Sequence, residues 1–308
     1  MKIIVTGISG LLGHAIWKEV ARRRHHCTGI YGRFPIMPID AKLQQSLSAD
    51  LTNHDLLERL ILDNFPDAVI HAAAISNPEM VDKNPKLAEN INVDLPKRIA
   101  QLCHHTGTRF FHFSTDMVFN GQRDDYYKST DLPEPINLYA QQKLVAEKAI
   151  LAAAATESTI VRIPILSGNS PQGNRSIHEK ILHKLAMGNT PKLYTDEIRQ
   201  PISADNVAQI TIELLERNPP LSGIFHWSGD ENYSRYDMGI KIMQHFGLSE
   251  NNIKPVTTDK SNLIRPKFLK LDCHLLRTKV RTRPDPFKVQ LSDCSIPRTL
   301  FKWYQELE

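Results

Sequence analysis

Three glycines, Gly7, Gly10 and Gly13, follow the first apolar segment of the chain in the stretch VTGISGLLG. Residues 3–6 before them are rich in β-branched side chains and predict a strand, whereas residues 12–24 have the apolar periodicity of a helix. At this spacing the first glycine permits a tight turn, the second lets a phosphate approach the backbone, and the third lets helix and strand pack closely. The free amides of the helix N-terminus attract phosphate. The stretch therefore predicts a dinucleotide-binding turn.

Strand-like and helix-like segments alternate through the first half of the chain. The predicted strands are 3–6, 27–31, 68–71, 109–114 and 159–163. Apolar residues recur at three- and four-residue intervals in the predicted helices 12–24, 54–64, 85–104 and 138–154. Strands and helices that alternate at this spacing form right-handed βαβ units. We therefore predict an α/β fold with a Rossmann-type, doubly wound parallel sheet.

The second half has longer loops that are rich in Pro, Asn and Gly, and its elements no longer alternate regularly. We predict that 1–166 and 201–227 form the dinucleotide-binding Rossmann domain. Residues 167–200 and 228–308 are predicted to form a smaller substrate-binding lobe with a C-terminal tail. The tail, SIPRTLFKWYQELE, contains Leu300, Phe301, Trp303 and Tyr304. We expect it to pack on its own domain, with a contact to a partner as the alternative.

The bulk composition excludes several classes of protein. With 41% apolar and 23% charged residues, the 308-residue chain has the profile of a soluble globular protein. Its net charge of +4 is too small to favour a nucleic-acid partner. No apolar run reaches the ~18 residues that a membrane helix needs, and the N-terminus lacks the layout of a signal peptide.

The cysteines and histidines give no sign of a metal site. The four cysteines lie far apart without CxxC spacing, which indicates free thiols in a reducing compartment. No HxxxH pattern or Cys/His cluster accompanies them. We expect a cytoplasmic protein without a metal ion.

The end of the second predicted strand distinguishes the two nicotinamide dinucleotides. An acidic residue there would hold the ribose 2′-hydroxyl, but the stretch GIYGRF has Arg33, a cation that suits a 2′-phosphate. NADPH is therefore the predicted cofactor. Farther on, Asp50 is predicted to hydrogen-bond the adenine, and Leu51 to pack on its face. Capping of the next helix is the alternative role for Asp50.

Tyr139 and Lys143 are one helical turn apart, so both side chains fall on one face of the predicted helix 138–154. An ammonium at this distance is expected to lower the pKa of the phenol, which could then give a proton to a carbonyl oxygen that receives hydride. Thr115 lies 24 residues upstream at the carboxyl end of a predicted strand. Ligands bind beyond this end of the strands in open α/β sheets. The three residues are candidate catalytic groups.

Together with the glycine turn, HAAA at 71–74, Asn92 in INVD, STDMVF and YxxxK resemble an extended short-chain dehydrogenase/reductase. The stretches PEPINLYAQQK, GIFHWSGDENYSRYDM (223–238) and RPKFLKLD (265–272) resemble the dTDP-4-dehydrorhamnose reductase branch. RIPILSG (162–168) and FHWSG (225–229) are similar to the β regulatory subunit of methionine adenosyltransferase II, a member of this branch that keeps the fold and the NADP site. Ile165 stands where rhamnose-pathway reductases usually carry a tryptophan.

The resemblance implies a role for each matching residue. Thr115 would orient the substrate carbonyl, Tyr139 would donate the proton, and Lys143 would hold the nicotinamide ribose. The residues implied to contact the cofactor are Gly7, Ser9, Gly10, Leu11, Leu12, Gly13, Arg33, Asp50, Leu51, Ala73, Ala74, Ile75, Asn92, Tyr139 and Lys143. Those implied to contact the substrate are Thr115, Asp116 and Met117. Arg199 and Arg265 are candidates for the nucleotide diphosphate, whose charge requires cations, and capping or bridging of loops is their alternative role. Core packing is the alternative for Met117, and bridging of backbone groups inside the sheet is the alternative for Asn92.

The resemblance implies an NADPH-dependent reductase of a nucleotide-linked 4-keto sugar, with hydride delivered to C4. The alternative is an NADP-binding regulatory subunit of a partner enzyme such as methionine adenosyltransferase. A homodimer is a further possibility that the sequence leaves open.

Overall fold

The computed structural model of the protein describes residues 1–260 and 265–307. Its strands are β1 (Lys2–Thr6), β2 (His26–Tyr31), β3 (Gln44–Ser48), β4 (Ala68–His71), β5 (Arg109–Thr115), β6 (Tyr126–Tyr127), β7 (Ser158–Ile163), β8 (Leu166–Ser167), β9 (Lys192–Tyr194), β10 (Ile198–Arg199), β11 (Ile202–Ser203), β12 (Gly223–His226), β13 (Tyr233–Ser234), β14 (Lys254–Val256) and β15 (Lys270–Leu271).

The helices of the described residues are α1 (Leu11–Arg22), α2 (Asp55–Asn64), α3 (Pro78–Lys83), α4 (Pro85–Glu89), α5 (Leu95–Thr106), α6 (Leu138–Ala154), α7 (Ile177–Ala186), α8 (Ala204–Glu216), α9 (Arg235–His245), α10 (His274–Arg277), α11 (Phe287–Ser292) and α12 (Phe301–Gln305). None of them is long and apolar enough to cross a membrane.

Seven strands form one parallel sheet in the order β12-β7-β5-β4-β1-β2-β3. The predicted Rossmann-type α/β fold is confirmed. Two of the seven strands were not predicted as elements. β3 is an edge strand in which only Gln44 is buried. Its sequence, QQSLS, is therefore polar and lacks the apolar pattern of a buried strand. β12 lies within 201–227 and pairs with β7 at the other edge.

Helices cover both faces of the sheet. Successive side chains of a strand point to opposite faces, so Ile3 and Val5 belong to one buried cluster and Ile4 to another. The first cluster lies beneath α1 and α8 and contains the fully buried Trp17 and Trp227. The second lies beneath α2, α5 and α6. This arrangement leaves the carboxyl edge of the sheet as the open side.

The predicted helix 85–104 is interrupted in the structure. α4 ends at Glu89, a single π-helical turn covers Asn90–Asp94, and α5 begins at Leu95. Pro96 explains the break, because its ring clashes with the carbonyl four residues before it and its nitrogen donates no hydrogen bond. The wider π turn accommodates both restrictions.

A third buried cluster lies away from the sheet, where α7, α9 and α11 meet. The C-terminal tail is part of this cluster, since Leu300 is buried and Trp303 packs on the cluster. The Tyr304 hydroxyl donates to the Phe246 carbonyl at 2.7 Å. The tail therefore packs on its own chain, as expected. The boundaries of the lobe stay a prediction, and its residues 261–264 and 308 lie outside the described part of the chain.

The four cysteines, all within the described residues, are buried free thiols, as predicted.

A buried ion pair joins α6 to the sheet. The Arg162 guanidinium on β7 donates to both carboxylate oxygens of Glu147 on α6, at 2.9 and 2.7 Å. The two side chains are 2% and 1% exposed. The guanidinium also lies over the Phe119 ring, 5.1 Å from its centroid, and 3.4 Å from Nε2 of His226. Because both charges are removed from water, each side chain needs the opposite charge of the other to remain buried without a large loss of stability.

We expect Glu147→Gln to lower the free energy of unfolding by about 3–5 kcal/mol, because the change leaves the Arg162 charge buried and unpaired. The matched control is Glu58→Gln. Glu58 pairs with Arg98 at 2.6 Å, but these side chains are 25% and 44% exposed, so the loss there should stay below about 1 kcal/mol. Urea unfolding of both variants measures the difference. Equal losses would contradict the role given to the buried pair.

Candidate active site

The glycine turn after β1 has the tight packing that its sequence predicts. Gly7 has a φ of +76°, a conformation that glycine adopts without strain. A Cβ on Gly13 would lie 2.1 Å from the Gly7 carbonyl oxygen, so only glycine fits there. Gly10, at the N-cap of α1, leaves the amides of the first helical turn free of side-chain caps. These amides can receive a phosphate group, and the turn therefore fits a dinucleotide.

The glycine turn opens into a cleft of about 1370 Å³ at the carboxyl edge of the sheet. The predicted cofactor residues that line it are Gly7, Ser9, Gly10, Leu11, Leu12, Leu51, Ala73, Ala74, Ile75, Tyr139 and Lys143. The predicted substrate residues that line it are Thr115, Asp116, Met117, Arg199 and Arg265. One continuous cleft thus brings most of the predicted site together.

Four predicted cofactor residues are not among the lining residues of the described cleft: Gly13, Arg33, Asp50 and Asn92. Arg33 is exposed beyond β2, with its guanidinium 5.5 Å from the Phe34 ring centroid. Asp50 is also exposed and accepts hydrogen bonds from the amide and hydroxyl of Thr52. The alternative role of Asp50, capping of α2, is wrong, because His54 occupies the N-cap position of that helix. Roles of Arg33 and Asp50 toward a cofactor stay predictions.

Asn92 is buried in the π turn and holds the loop that follows β4. Its side-chain oxygen accepts from the Ile75 amide at 3.0 Å, and its amide group donates to the Ile75 carbonyl at 3.1 Å. It also donates to Gln142 at 3.0 Å. Asn92 therefore bridges backbone groups, as its alternative role states. The groups belong to the loop after β4 and not to the sheet. Asn92 thus positions Ile75 at the cleft.

Thr115, Tyr139 and Lys143 are all buried where they line the cleft. Thr115 ends β5, and its hydroxyl donates to Asp116 Oδ1 at 3.1 Å. Tyr139 and Lys143 project from adjacent turns of α6, whose N-cap Asn137 accepts from the Ala140 amide. The strand end and the helix N-terminus therefore present the three groups to one space.

The pKa of Tyr139 is raised, not lowered as the Tyr–Lys spacing predicts. Burial is the main cause, the negative charge of Asp116 adds to it, and a hydrogen bond with Thr115 opposes it. The expected effect of Lys143 is missing because its ammonium points elsewhere. Lys143 Nζ lies 2.9 Å from Nε2 of His112 on β5. Burial lowers the pKa of Lys143 to about 8, opposed by the negative charge of Glu147.

Asp116 is a buried carboxylate next to these groups. Burial raises its pKa to about 6, and Arg199 opposes the rise most strongly. Arg199 Nε lies 4.0 Å from Asp116 Oδ2, beyond hydrogen-bond distance, and Oδ2 has no hydrogen-bond partner in the described chain. With a pKa of about 6, the carboxyl is mostly ionised at neutral pH, and its buried Oδ2 is an acceptor without a partner among the described residues.

Arg199 and Arg265 differ in their freedom to bind a substrate. Arg199 donates to three backbone carbonyls, those of Ile198, Pro266 and Lys267, at 2.7, 2.8 and 3.0 Å. It therefore serves mainly to hold the segment that follows residue 265. Arg265 is ion-paired with the buried Glu197 and is less enclosed.

Sequence reasoning missed a third arginine, Arg235, at the start of α9. It is half-buried and lines the cleft, and the structure gives its side chain no hydrogen bond or ion pair within the described residues. Burial lowers its pKa to about 10; Glu197 opposes this change, and Arg199 and Arg265 add to it. Arg175 and Lys180 line the same region. The sequence offers little indication of this role, because Arg235 lies within 223–238, a stretch that resembles the reductase branch but contains no recognisable phosphate-binding motif.

The remaining missed residues are two histidines beneath the cleft. His71 on β4 and His112 on β5 are paired in register, and their rings stack at 5.5 Å. Burial lowers the pKa of His71 to about 3 and that of His112 well below its usual range. Both rings are therefore neutral at physiological pH. The alternation of side chains along β5 predicts that His112 and Phe110 lie on the same face of the sheet. It does not predict the contact between His112 and Lys143.

A parallel sheet with a glycine-rich turn, a strand-end threonine and a Tyr–Lys pair on one helix defines an extended short-chain dehydrogenase/reductase. The chain belongs to the family described as RmlD substrate binding domain, whose model matches residues 1–298.

Individual relatives agree with this assignment. The chain is 28% identical over 310 residues to methionine adenosyltransferase 2 subunit beta of Bos taurus, covering 99% of this chain and 90% of the relative. It is 31% identical over 251 residues to a probable low-salt glycan biosynthesis reductase, Agl14, of Haloferax volcanii, covering 80% and 81%. The crystal structure of a hypothetical dTDP-4-dehydrorhamnose reductase from Sulfolobus tokodaii superposes with a TM-score of 0.77 at 29% identity, covering 92% of this chain and 96% of that one. Both predicted resemblances are confirmed.

Proposed function

We propose that the protein is an NADPH-dependent reductase of a nucleotide-linked 4-keto sugar. The observation that carries the proposal is one cleft that is lined by the glycine turn, by Thr115, Tyr139 and Lys143, and by arginines from the second half of the chain. The names of the Haloferax and Sulfolobus relatives, both reductases, support the same reaction class.

The glycine turn and the loop at 73–75 would hold the dinucleotide. When bound, NADPH supplies the hydride that reduces the carbonyl. Lys143 would hydrogen-bond the nicotinamide ribose through an ammonium that is mostly charged at neutral pH, because its pKa is about 8.

Tyr139 would donate the proton to the oxygen of the reduced carbonyl. The phenol is protonated at neutral pH, which is the form required of a proton donor. Burial raises its pKa away from neutral pH, where a general acid is most effective, so donation would depend on the positive charge of the bound oxidised nicotinamide. The Thr115 hydroxyl would orient the carbonyl by a hydrogen bond. Asp116 would border the sugar, because it lines the cleft next to Thr115.

The substrate class follows from the charge of the small-lobe end of the cleft. Arg175, Lys180, Arg235 and Arg265 line it, and only Arg265 has an ion pair with a carboxylate in the described part of the chain. A diphosphate group requires such cations, and arginine binds phosphate oxygens through two parallel hydrogen bonds. We therefore infer that the diphosphate of a nucleotide sugar binds here.

NADPH oxidation with a panel of nucleotide 4-keto sugars tests the proposal. With a sugar that the wild type reduces, Tyr139→Phe should slow the single-turnover rate by ~10²–10⁴-fold, the usual contribution of a positioned general acid. Thr115→Val should cost less, and Lys143→Met should impair both turnover and cofactor binding. The control is the NADPH affinity of Tyr139→Phe, which should match the wild type. A Tyr139→Phe protein that turns over at the wild-type rate contradicts the mechanism.

Cofactor choice gives a separate prediction. If Arg33 pairs with the 2′-phosphate, Arg33→Ala should weaken NADPH binding by ~1.5–3 kcal/mol and leave NADH binding unchanged. Calorimetric titration with each dinucleotide measures both values. Equal losses for the two would remove Arg33 from the cofactor site.

A regulatory subunit is the second candidate function, because the Bos taurus relative, which matches 99% of this chain, is named as a subunit of methionine adenosyltransferase. The packing of the tail on its own lobe argues against the tail as the docking segment. This candidate predicts NADPH binding without oxidation by any sugar of the panel. It also predicts co-elution with a methionine adenosyltransferase catalytic subunit on size-exclusion chromatography. Turnover without co-elution rejects it.

A further inference from the structure

His112 and Lys143 form a buried pair beneath the cleft. The Lys143 Nζ–His112 Nε2 distance is 2.9 Å, and the residues are 3% and 1% exposed. An ammonium carries only donors, so Nε2 of a neutral His112 must be the acceptor and Nδ1 must carry the ring hydrogen. Nδ1 is buried without a partner among the described residues. A buried N–H without an acceptor destabilises the fold. The contribution of this ring is therefore the hydrogen bond that Nε2 accepts from Lys143.

None of the charged or titratable groups around Lys143, other than His112, forms a hydrogen bond with its ammonium within the described residues. On its own helix, Glu147 lies one turn farther on, but Arg162 on β7 holds both of its carboxylate oxygens. Tyr139 lies one turn before Lys143 and is protonated. Asp116, beyond β5, accepts from the Thr115 hydroxyl through Oδ1, and its Oδ2 has no hydrogen-bond partner among the described residues. Within the described chain, the hydrogen bond that the structure gives to the Lys143 ammonium is the one to His112.

His112 is itself fixed by a row of polar side chains across the sheet. Thr6 on β1, His71 on β4 and His112 on β5 are register partners. The Thr6 hydroxyl lies 2.8 Å from Nδ1 of His71, and the two imidazoles stack with an interplanar angle of 13°. The Ala73 amide donates to the same hydroxyl at 3.3 Å. The row therefore connects Lys143 to the strand that enters the glycine turn.

We propose that His112 is a positioning residue for Lys143, which it holds through a neutral acceptor so that the positive charge of the lysine stays available to the cleft. A carboxylate in the same place would fix the lysine but cancel its charge. This inference rests on the proposed function, because the ammonium is assigned there to the ribose of NADPH.

The proposal has a consequence for the pH dependence of cofactor binding. A hydrogen bond to the ammonium favours the charged form of Lys143, whereas burial favours the neutral form. The ammonium is present below the pKa of Lys143, which is about 8, and is lost as the pH rises through that value. Removal of the acceptor should therefore lower the pKa and move the loss of NADPH affinity to lower pH.

The test compares His112→Phe, which keeps an aromatic ring but removes the acceptor, with His112→Gln, whose amide oxygen can replace Nε2. NADPH affinity is measured by calorimetry between about pH 6 and about pH 9.5. We expect the midpoint of the affinity loss to move down by about 1 pH unit in His112→Phe and to stay near the wild-type value in His112→Gln. Lys143→Met should show no such midpoint.

A second measurement does not need the cofactor. Nitrogen NMR of the His112 ring in the intact wild-type protein should show the tautomer with hydrogen on Nδ1. The tautomer with hydrogen on Nε2, or identical midpoints in the wild type and a folded His112→Phe, would overturn the proposal. If NADPH fails to bind at all, the proposed function fails. The tautomer and the rate of reductive methylation of Lys143 as a function of pH then decide on His112. Should His112→Phe not fold, the tautomer of the wild-type protein decides, because His112→Gln is expected to behave like the wild type.

Discussion

The ammonium of Lys143 lies buried between α6 and the sheet, and much of the surrounding structure follows from that position. A buried charge needs hydrogen-bond partners, because its desolvation otherwise costs several kcal/mol. Glu147 is near enough to favour the charge but is held by Arg162. The neutral His112 supplies the hydrogen bond instead. Two positive charges, Lys143 on α6 and Arg162 on β7, and one negative charge, Glu147 on α6, are thus buried between this helix and the sheet. Of the three, Lys143 lines the cleft.

The strand order explains why the cleft lies where it does. β1 is flanked by β2 on one side and β4 on the other, so the chain connections leave in opposite directions on either side of β1. A crevice forms beyond the carboxyl ends at such a point. The glycine turn after β1 and the loop after β4 form its walls, and Asn92 fixes the second of these through both backbone groups of Ile75. Arginines from the second half of the chain also line the cleft.

The central strands and main helices could be predicted because their apolar periodicity is local and strong. β3 escaped prediction because an edge strand exposes most of its side chains, and QQSLS therefore lacks the apolar signal of a buried strand. The π turn at Asn90–Asp94 escaped because apolar periodicity continues through it, although Pro96 marks the place. The pairing of β12 with β7 joins segments more than 60 residues apart, and periodicity contains no information on such pairing.

By itself, the sequence determined the parts of the site whose geometry is set within one turn or one helix. The glycine spacing specified the turn, since the clash at Gly13 involves only residues six positions apart. The four-residue spacing placed Tyr139 and Lys143 on one face. The tertiary structure alone decided the direction of the Tyr139 pKa shift, the partner of Lys143 and the position of Arg235 in the cleft. Each of these depends on burial and on charges brought from other strands or from the small lobe, and a pKa responds to the distance between groups in space and not to their separation along the chain.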